Sequence, residues 1–374
     1  MSDKRTLHFN GQPVVARCGT TLAEAALSRG VVIPVDCSSG QCETCRVRVA
    51  AGLVDDAGTA SGDTVLACQA TVRDDAEITF DVLPVARRTR ASITAIRPLA
   101  HDILEVVART DEPLPYRPGQ YVKVRFPGCP VRDYSPAAAP EGSDPESTLA
   151  FHIRLYDRGA VSAALRSRVA VGQRIAVEGS YGNAYHRPGA GRLVLVGTNT
   201  GWAPLSAIAR AAAAAEPARP MRVVVGARDP RHLYMRAELA RLEALGADVT
   251  LVCSGGAGDG SGVRQGRPTA FIGSLAPDDV VYAAGAPEMV ESVRILASAA
   301  GAPCYVDPFT VGTGGPSLFG RIRMALETGD EARLRPGRAA PAALPEPGYA
   351  GGPARAGGEA PRRGGVLTRW FARS

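Results

Sequence analysis

The sequence predicts a multidomain protein in which a small α+β unit, an all-β barrel and a doubly wound α/β sheet follow one another. A hairpin, a helix and a cysteine-rich loop come first along the chain. Short alternating strands interrupted by Pro and Gly then occupy about residues 90–190, which is typical of a barrel. From residue 192 apolar strands alternate with helices, which is typical of a parallel sheet covered by helices.

The first unit is predicted from turn and cap signals. The segment TLHFNGQPVVARC forms a hairpin, because Asn10-Gly11 supplies the positive φ that a tight turn needs. Thr21 and Glu24 fit a capping box at the start of an Ala- and Leu-rich helix. VVIPVDC then leads into the cysteine loop, and EITFDVL, residues 77–83, is expected to be the closing strand.

The barrel and the last unit are predicted from hydrophobic periodicity. The barrel strands are expected in ASITAIRPL, DILEVVART, YVKVRF, LAFHIRLY and RIAVEG. The later strands LVLVG, RVVVG, VTLVC and VVYAA alternate with the helical segments PLSAIARAAAAA, HLYMRAELARLEAL and PEMVESVRILASAA. After about residue 331 the chain is rich in Pro, Gly, Ala and Arg, and this composition predicts a disordered tail.

Composition is that of a water-soluble protein, with 45% hydrophobic and 21% charged residues among 374. No run approaches the roughly 20 apolar residues that cross a bilayer, and MSDKRTLHF lacks the apolar stretch of a secretory signal. We therefore expect a cytoplasmic protein with no membrane span. In a reducing compartment, clustered cysteines indicate a metal site or catalysis rather than disulfides.

The net charge of +6 comes largely from the tail. Residues 331–374 hold eight Arg and three Glu, whereas the first 80 residues hold seven Lys or Arg and ten Asp or Glu. The high pI is therefore weak evidence for nucleic-acid binding, and no nucleic-acid partner is expected. Trp370 and Phe371 near the end of the tail leave two alternatives open, a solvated end or a short docking segment for a partner.

Four cysteines have the spacing of an iron–sulfur site. Three form C-x4-C-x2-C on one loop and a fourth follows after 22 intervening residues, at Cys37, Cys42, Cys45 and Cys68. Plant-type [2Fe-2S] clusters are bound by this spacing, whereas zinc sites more often use two C-x2-C pairs. Gly40 allows the backbone to approach the cluster. We predict cluster ligation, with zinc or unrelated cysteines as the alternatives.

The segments CSSGQCETC and VLACQ resemble the cluster loop and the fourth-ligand segment of plant-type ferredoxin domains. Two departures from that family are present. Glu43 stands where relatives usually have Gly, and the stretch between the third and fourth cysteines is shorter. A carboxylate beside the cluster disfavours the more negative reduced form, so Glu43 is expected to lower the reduction potential.

The segment Arg132-Asp133-Tyr134-Ser135 predicts a flavin site. Arg pairs with phosphate, Tyr stacks on an isoalloxazine ring, and a Ser hydroxyl bonds near the redox-active nitrogen N5. Four residues alone are a weak signal. The segment GAVS, which begins at Gly159, strengthens it, because it is expected to open a helix whose amides receive a pyrophosphate.

YRPGQYVKV and VGQRIAVEGSYG resemble the flavin domain of the ferredoxin–NADP reductase family. That resemblance implies FAD in preference to FMN. It also implies a set of flavin contacts, namely Arg132, Tyr134, Ser135, Ile153, Arg154, Gly159, Val161 and Ser162.

Two further segments indicate a nicotinamide site. GTNTGWAP follows the strand LVLV, and glycines at a strand-to-helix turn let a diphosphate approach the backbone. It resembles the family's G-T-G-T-G-x-A-P loop, with Asn199 in place of Gly, although a tight turn without a ligand is the alternative for this loop alone. GAPEMV resembles the family's C-G-x-P-x-M-V segment, with Ala284 in place of Cys. Hydride transfer depends mainly on positioning, so the loss of Cys is expected to lower the rate rather than abolish it.

The resemblance implies nicotinamide contacts at Gly197, Thr198, Thr200, Gly201, Gly285 and Pro287, and a reactive centre formed by Tyr134, Ser135 and Thr200. Phe309 resembles the aromatic residue that shields the flavin, and a core residue is the alternative. Arg228 can approach a 2′-phosphate, but the segment GAR also occurs in relatives that use NADH. We expect NADH, with NADPH as the alternative.

Together these resemblances predict four segments. They are a β-grasp ferredoxin domain over 1–88, a Greek-key FAD-binding barrel over 89–190, a Rossmann-like NAD(P)-binding domain over 191–312, and a helical extension with a disordered basic tail over 313–374. The same order is found in the reductases of aromatic-ring dioxygenases and di-iron monooxygenases.

The expected activity is an NAD(P)H:acceptor oxidoreductase, in which electrons pass from NADH through FAD and the [2Fe-2S] cluster to a partner oxygenase. We expect a monomer whose acidic ferredoxin domain binds a separate acceptor protein. Service to a cytochrome P450 or a deoxysugar dehydratase is one alternative, and a non-catalytic redox sensor is another. A self-contained oxygenase is not expected, because no segment remains for an oxygen-activating site.

Overall fold

The computed structural model describes residues 3–256 and 262–309, all within one compact unit. The predicted extension and tail, residues 313–374, lie outside the described residues. Three sheets follow one another along the chain, of five, six and six strands. No helix among the described residues is long and apolar enough to cross a membrane.

The first domain is a five-stranded mixed sheet with one helix. Its elements are β1 (Lys4–Phe9), β2 (Gln12–Arg17), α1 (Leu22–Leu27), β3 (Arg46–Asp55), β4 (Thr64–Leu66) and β5 (Thr71–Thr79), with strand order β2-β1-β5-β3-β4. The turn after β1 has φ of 48° at Asn10 and 82° at Gly11, as predicted. The capping box of Thr21 and Glu24 is also present at the start of α1.

The second domain is a six-stranded antiparallel sheet. Its elements are β6 (Arg87–Ala100), β7 (Ile103–Thr110), β8 (Tyr121–Arg125), β9 (Arg132–Tyr134), β10 (Thr148–Arg154), α2 (Ala160–Ser167) and β11 (Arg174–Tyr181), with strand order β10-β7-β6-β11-β8-β9. Alternate residues of β8 point into the core, where Val122 and Val124 are fully buried. Strand β9 is the last strand in this order and lies at one edge of the sheet.

The third domain is a six-stranded parallel sheet with helices. Its elements are β12 (Leu193–Thr198), α3 (Trp202–Ala215), β13 (Met221–Ala227), α4 (Arg236–Ala244), β14 (Asp248–Cys253), β15 (Arg264–Gln265), β16 (Val280–Gly285), α5 (Pro287–Ala299) and β17 (Cys304–Pro308). The strand order β15-β14-β13-β12-β16-β17 changes direction between β12 and β16. In such sheets the carboxyl ends of the strands at this switch point form the ligand crevice.

Two predicted elements have wrong boundaries. The closing strand of the first domain is Thr71–Thr79 rather than 77–83. Its residues 71–72 and 76–79 pair with β3, residues 76–78 also pair with β1, and the chain leaves the sheet at Phe80. The helix predicted from HLYMRAELARLEAL begins only at Arg236. Met235 adopts a left-handed conformation with φ of 61°, which separates this helix from the short 3-10 turn Pro230–His232.

Candidate redox centre and cofactor sites

The four cysteines of the first domain lie around one space as two pairs of thiols. The amide nitrogen of Cys42 lies 3.4 Å from the Cys37 sulfur, and that of Cys37 lies 3.5 Å from the Cys42 sulfur. A hydrogen bond with the Cys42 thiol lowers the pKa of Cys37 to about 4, and the Cys45 thiol lowers the pKa of Cys68 in the same way. Two facing pairs of sulfurs suit a binuclear cluster rather than one tetrahedral zinc ion.

Backbone donors already point at these sulfurs. The Ser39 amide donates to the Cys37 sulfur at 3.4 Å, and the Gln69 side-chain amide lies 3.7 Å from the Cys68 sulfur. Hydrogen bonds to the sulfurs are one of the means by which a protein stabilises a reduced cluster. The chain's own residues therefore fit a [2Fe-2S] cluster.

The cluster loop contains an ion pair that the sequence analysis did not anticipate. Glu43 has φ of 56°, a conformation that is uncommon for a residue other than Gly. Its carboxylate accepts hydrogen bonds from the Arg46 guanidinium, one of them at 2.9 Å, and both side chains are mostly buried. Arg46 thus compensates the charge that Glu43 brings to the cluster.

The predicted flavin residues on β9 lie at the open edge of the barrel. The Tyr134 ring packs edge-on against Phe126, with ring centroids 6.3 Å apart, and burial raises the pKa of Tyr134. Within the described part of the chain, the Arg132 guanidinium donates a hydrogen bond only to the carbonyl oxygen of Val131, at 2.8 Å. Its guanidinium therefore keeps donors for a phosphate.

Strand β10 and helix α2 bring the other predicted flavin residues to the same domain. Gly159 is the N-cap of α2 and offers no side chain to its first turn, which leaves amide donors for an anion. Ile153 and Val161 are buried in the barrel core, so only their backbone remains for a ligand. The Ser162 hydroxyl accepts a hydrogen bond from the Tyr156 amide at 3.0 Å.

Arg154 has partners within the protein rather than an open position. It donates to the Asp102 carboxylate at 2.9 Å, and its guanidinium lies 3.2 Å from His232 of the third domain. The structure does not place Arg154 together with Arg132 through any described contact. Its other terminal nitrogen, Nη1, takes part in neither contact, so a role as a flavin ligand stays a prediction.

The two nicotinamide segments meet at the switch point of the third sheet. Strands β12 and β16 are parallel neighbours, and the Ala286 amide donates to the Thr198 hydroxyl at 2.9 Å. A Cβ atom on Gly201 would lie 2.2 Å from the carbonyl oxygen of Ala284, so the two backbones approach more closely than any side chain allows. Pro287 begins α5 directly after this contact.

Asn199 explains one departure from the family pattern. Its φ of 51° is left-handed, a conformation that suits Gly best and Asn next among the other residues. Its side-chain oxygen is buried and has no hydrogen-bond partner among the described residues. The loop thus keeps the required backbone shape and adds a polar atom.

Three domain families match the chain in the order of its folded units. The 2Fe-2S iron-sulfur cluster binding domain matches residues 7–73. The oxidoreductase FAD-binding domain matches residues 91–186, and the oxidoreductase NAD-binding domain matches residues 195–294.

The chain matches most of the length of its curated relatives. The ferredoxin–NAD(P)+ reductase component of the naphthalene 1,2-dioxygenase/salicylate 5-hydroxylase systems of Ralstonia sp. is 35% identical over 316 residues, which covers 79% of this chain and 92% of that protein. The chain belongs to the ferredoxin–NAD(P)+ reductase components of oxygenase systems. The reductase is also 31% identical over 307 residues to the ferredoxin–NAD+ reductase component of the Xanthobacter autotrophicus alkene monooxygenase system, which covers 76% of this chain and 92% of that protein.

Solved structures agree with this assignment. The Amycolatopsis cytochrome P450 reductase GcoB is 29% identical with a TM-score of 0.61, covering 82% of the reductase and 99% of that chain. The ferredoxin reductase in carbazole 1,9a-dioxygenase is 28% identical with a TM-score of 0.57, covering 82% and 98%. The predicted fold class, the three cofactors and the oxidoreductase activity are confirmed.

The reductase contains a residue pair that the sequence analysis missed. The buried Ser135 hydroxyl donates to the carboxylate of Asp307 on β17 at 2.7 Å. Burial raises the pKa of Asp307 to about 6. The two residues are 172 positions apart, and the sequence contains no signal for the pair except that Asp307 lies two residues before Phe309.

Phe309 lies beside the nicotinamide segment and not in the core. Its amide donates to the carbonyl oxygen of Gly285 at 2.7 Å, and 37% of the residue is exposed. The core alternative for Phe309 is therefore wrong. An exposed ring held beside Gly285 is available to cover a bound ring.

Proposed function

We propose that the reductase delivers single electrons from NADH to a separate oxygenase, either an aromatic-ring dioxygenase or a di-iron monooxygenase. The observation that carries the proposal is a hydrogen bond of 2.6 Å from the Tyr121 hydroxyl of strand β8 to the carboxylate of Asp36 in the cluster loop. The neighbour of β8 in the sheet is β9, which holds the predicted flavin residues. When bound, FAD accepts a hydride and releases electrons singly, which links a two-electron donor to a one-electron cluster. Two relatives that are reductase components of oxygenase systems, each matched over 92% of its length, support the same acceptor class.

Most of the predicted site residues have a proposed task. Arg132 and the first turn of α2 hold the FAD phosphates, Tyr134 stacks on the ring, and Ser135 bonds near N5. Thr198, Thr200 and Gly201 cradle the diphosphate of the nicotinamide cofactor at the start of α3. Gly285, Pro287 and Phe309 border the nicotinamide.

NADH is the proposed donor because of the residues that follow β13. In dinucleotide-binding sheets, an acidic residue after the second strand bonds the ribose 2′-hydroxyl of NAD. Asp229 stands there, and its hydrogen bonds with Arg231 lower the pKa of its carboxyl, which keeps it ionised. A carboxylate at this position disfavours a 2′-phosphate, although Arg228 is adjacent and exposed.

The acceptor is proposed to bind the ferredoxin domain. That domain carries an excess of acidic residues, of which Asp55, Asp63, Asp74, Asp75 and Glu77 are exposed.

Outside the four cysteines, the described chain brings His101, Asp102 and His232 together as possible metal ligands. Arg154 already bonds Asp102 and lies beside His232, so a cation is in place there. Oxygen activation is therefore assigned to a partner.

A cytochrome P450 is a second candidate acceptor. The specific observation is the similarity to the Amycolatopsis cytochrome P450 reductase, which extends over 99% of that chain. All three acceptor classes accept one electron at a time, so the domains of the reductase fit each of them.

The experiment is an anaerobic titration of the holoprotein with NADH, repeated with NADPH, followed by mixing with one acceptor at a time. Flavin and cluster absorbance should bleach together, and NADH should act at lower concentration than NADPH. A purified Rieske component, a di-iron hydroxylase and a cytochrome P450 are then compared by the reduction rate of each chromophore. Rapid reduction of the P450 alone would refute the proposed acceptor, and failure to reduce any artificial acceptor would favour a redox sensor.

A further inference from the structure

The ferredoxin domain and the flavin barrel have separate hydrophobic cores. Every buried apolar residue of the first core lies between Leu7 and Ile78, and every one of the second lies between Ala91 and Val177. The cluster loop and the barrel meet through polar side chains instead. Such a contact determines where the two domains sit without deciding whether each folds.

One acidic residue of the cluster loop is inserted into this contact. Asp36, which directly precedes the first cysteine ligand, is 2% exposed. Its carboxylate accepts a hydrogen bond from the Tyr121 hydroxyl at 2.6 Å and forms an ion pair with the Lys123 ammonium at 3.0 Å. Tyr121 and Lys123 are alternate residues of β8 and therefore point to the same face.

A second residue of the cluster loop, Thr44, also contacts the barrel. Thr44 lies between the second and third cysteines and is 4% exposed. Its hydroxyl accepts a hydrogen bond from the Gly182 amide at 3.0 Å and lies 3.4 Å from the Tyr121 hydroxyl. The cluster loop is thus held at both Asp36 and Thr44.

The contact continues to the strand that holds the flavin residues. Lys123 is the cross-strand partner of Asp133 on β9, and its ammonium lies 3.3 Å from the Asp133 carboxylate. Asp133 stands between Arg132 and Tyr134. Lys123 therefore joins the residue before the first cluster ligand to the strand assigned to the flavin.

We infer that Asp36, Thr44, Tyr121 and Lys123 form a docking contact that positions the cluster for electron transfer from the flavin. The inference rests on the proposed internal electron route. None of the four touches the reacting atoms, so all are positioning residues. The observed transfer rate is the rate in the docked arrangement multiplied by the docked fraction, so the rate falls in proportion to that fraction when the contact is weakened enough to populate undocked states.

Lys123→Met is the decisive variant. It removes the cation and leaves a buried carboxylate without its counter-charge, which favours an arrangement in which Asp36 reaches water. Lys123→Arg keeps the charge and should restore function. Arg48→Met is the matched control, because Arg48 forms an exposed ion pair with Asp63 inside the ferredoxin domain.

Two measurements on the holoprotein separate docking from folding. Stopped-flow absorbance gives the rate of flavin reduction by NADH and the rate of the following cluster reduction. Hydrogen exchange then reports the protection of the backbone amides around residues 36–45 and 121–125 without any turnover. Iron and FAD contents are determined for every variant.

In Lys123→Met we expect cluster reduction to slow about tenfold, because the docked fraction falls to about one tenth, with flavin reduction unchanged. Amide exchange should increase in both segments, and Lys123→Arg and Arg48→Met should match the wild type. Unchanged cluster reduction, or an equal slowing of flavin reduction, would overturn the inference. Wild-type protein that holds both cofactors but never reduces its cluster would refute the proposed function instead.

Discussion

Ser135 and Asp307 join the flavin barrel to the last strand of the nucleotide domain through one hydrogen bond of 2.7 Å. The serine belongs to the strand end assigned to the flavin, and the aspartate lies two residues before Phe309. The aspartate is half-buried, and burial raises the pKa of its carboxyl to about 6. Its protonation therefore changes within the range in which such enzymes are assayed.

The raised pKa makes Asp307 a source of pH-dependent instability. The folded protein binds this proton more tightly than the unfolded chain, so stability is lost as the pH rises from the ordinary value of 3.8 through about 6. Asp307→Asn retains an acceptor for Ser135 and removes the charge. Its gain in unfolding free energy over the wild type should be larger near about pH 8 than near about pH 5, by on the order of 1–1.5 kcal/mol.

Thermal unfolding of both proteins at the two pH values tests this expectation. The exposed Asp278→Asn is the control and should give the same small effect at both. A gain for Asp307→Asn that is equal at the two pH values would contradict the assignment. The pH profile of flavin reduction should also lose its inflection near about pH 6 in this variant.

Cys68→Ser should remove the cluster and leave the flavin reaction intact. The fourth thiolate is lost, whereas the barrel has its own core. We expect loss of iron and of the cluster absorbance, with NADH-dependent reduction of ferricyanide retained. Cys18→Ser is the matched control, because Cys18 lies in the same domain and its thiol donates to the Arg73 carbonyl oxygen, away from the cluster loop. Full iron content with an unchanged cluster absorbance spectrum in Cys68→Ser would show that this residue is not a ligand.

Glu43 and Arg46 should shift the cluster potential in opposite directions. Glu43→Gln removes a negative charge beside the cluster and should raise the midpoint potential. Arg46→Gln removes the cation that compensates this charge and should lower the midpoint potential. Shifts on the order of tens of millivolts are expected for a partly screened charge. A redox titration followed by electron paramagnetic resonance measures them, with Arg46→Lys as the charge-conserving control. Shifts of the same sign in both variants would be inconsistent with the pairing.

Gly201→Ala should damage nicotinamide binding more than flavin binding. The added methyl group would meet the Ala284 carbonyl oxygen, so the two nicotinamide segments must separate. We expect kcat/KM for NADH to fall roughly hundredfold, as is found when reacting groups are misplaced by about 1 Å. FAD content should be unchanged. Gly256→Ala, at a position with open space, should behave as the wild type; a normal kcat/KM in Gly201→Ala would argue against a close approach of the segments.

Local signals in the sequence predict much of this fold. The Asn10-Gly11 turn, the capping box at Thr21 and the parallel strands of the third domain follow from short-range chemistry and periodicity. The cysteine spacing likewise predicts the cluster ligands, because one loop supplies three of them.

Contacts between domains could not be predicted in this way. Asp36 and Tyr121 are 85 positions apart, and neither belongs to a motif that indicates the other. The pairing of Glu43 with Arg46 is close in sequence, but it depends on a left-handed backbone that no residue type there demands. Such contacts arise from the packing of separate units, which periodicity within one unit does not describe.

The cluster loop has two sides with different surroundings. Asp36 and Thr44 are enclosed against the barrel, whereas Ser39 and Gln41 of the same loop are exposed. Electrons that arrive through the enclosed side have a different side by which to leave. In the proposed arrangement an acceptor bound at the open side does not compete with the barrel. The barrel can then reduce the cluster again while the acceptor stays bound, and successive turnovers do not require the two domains to separate.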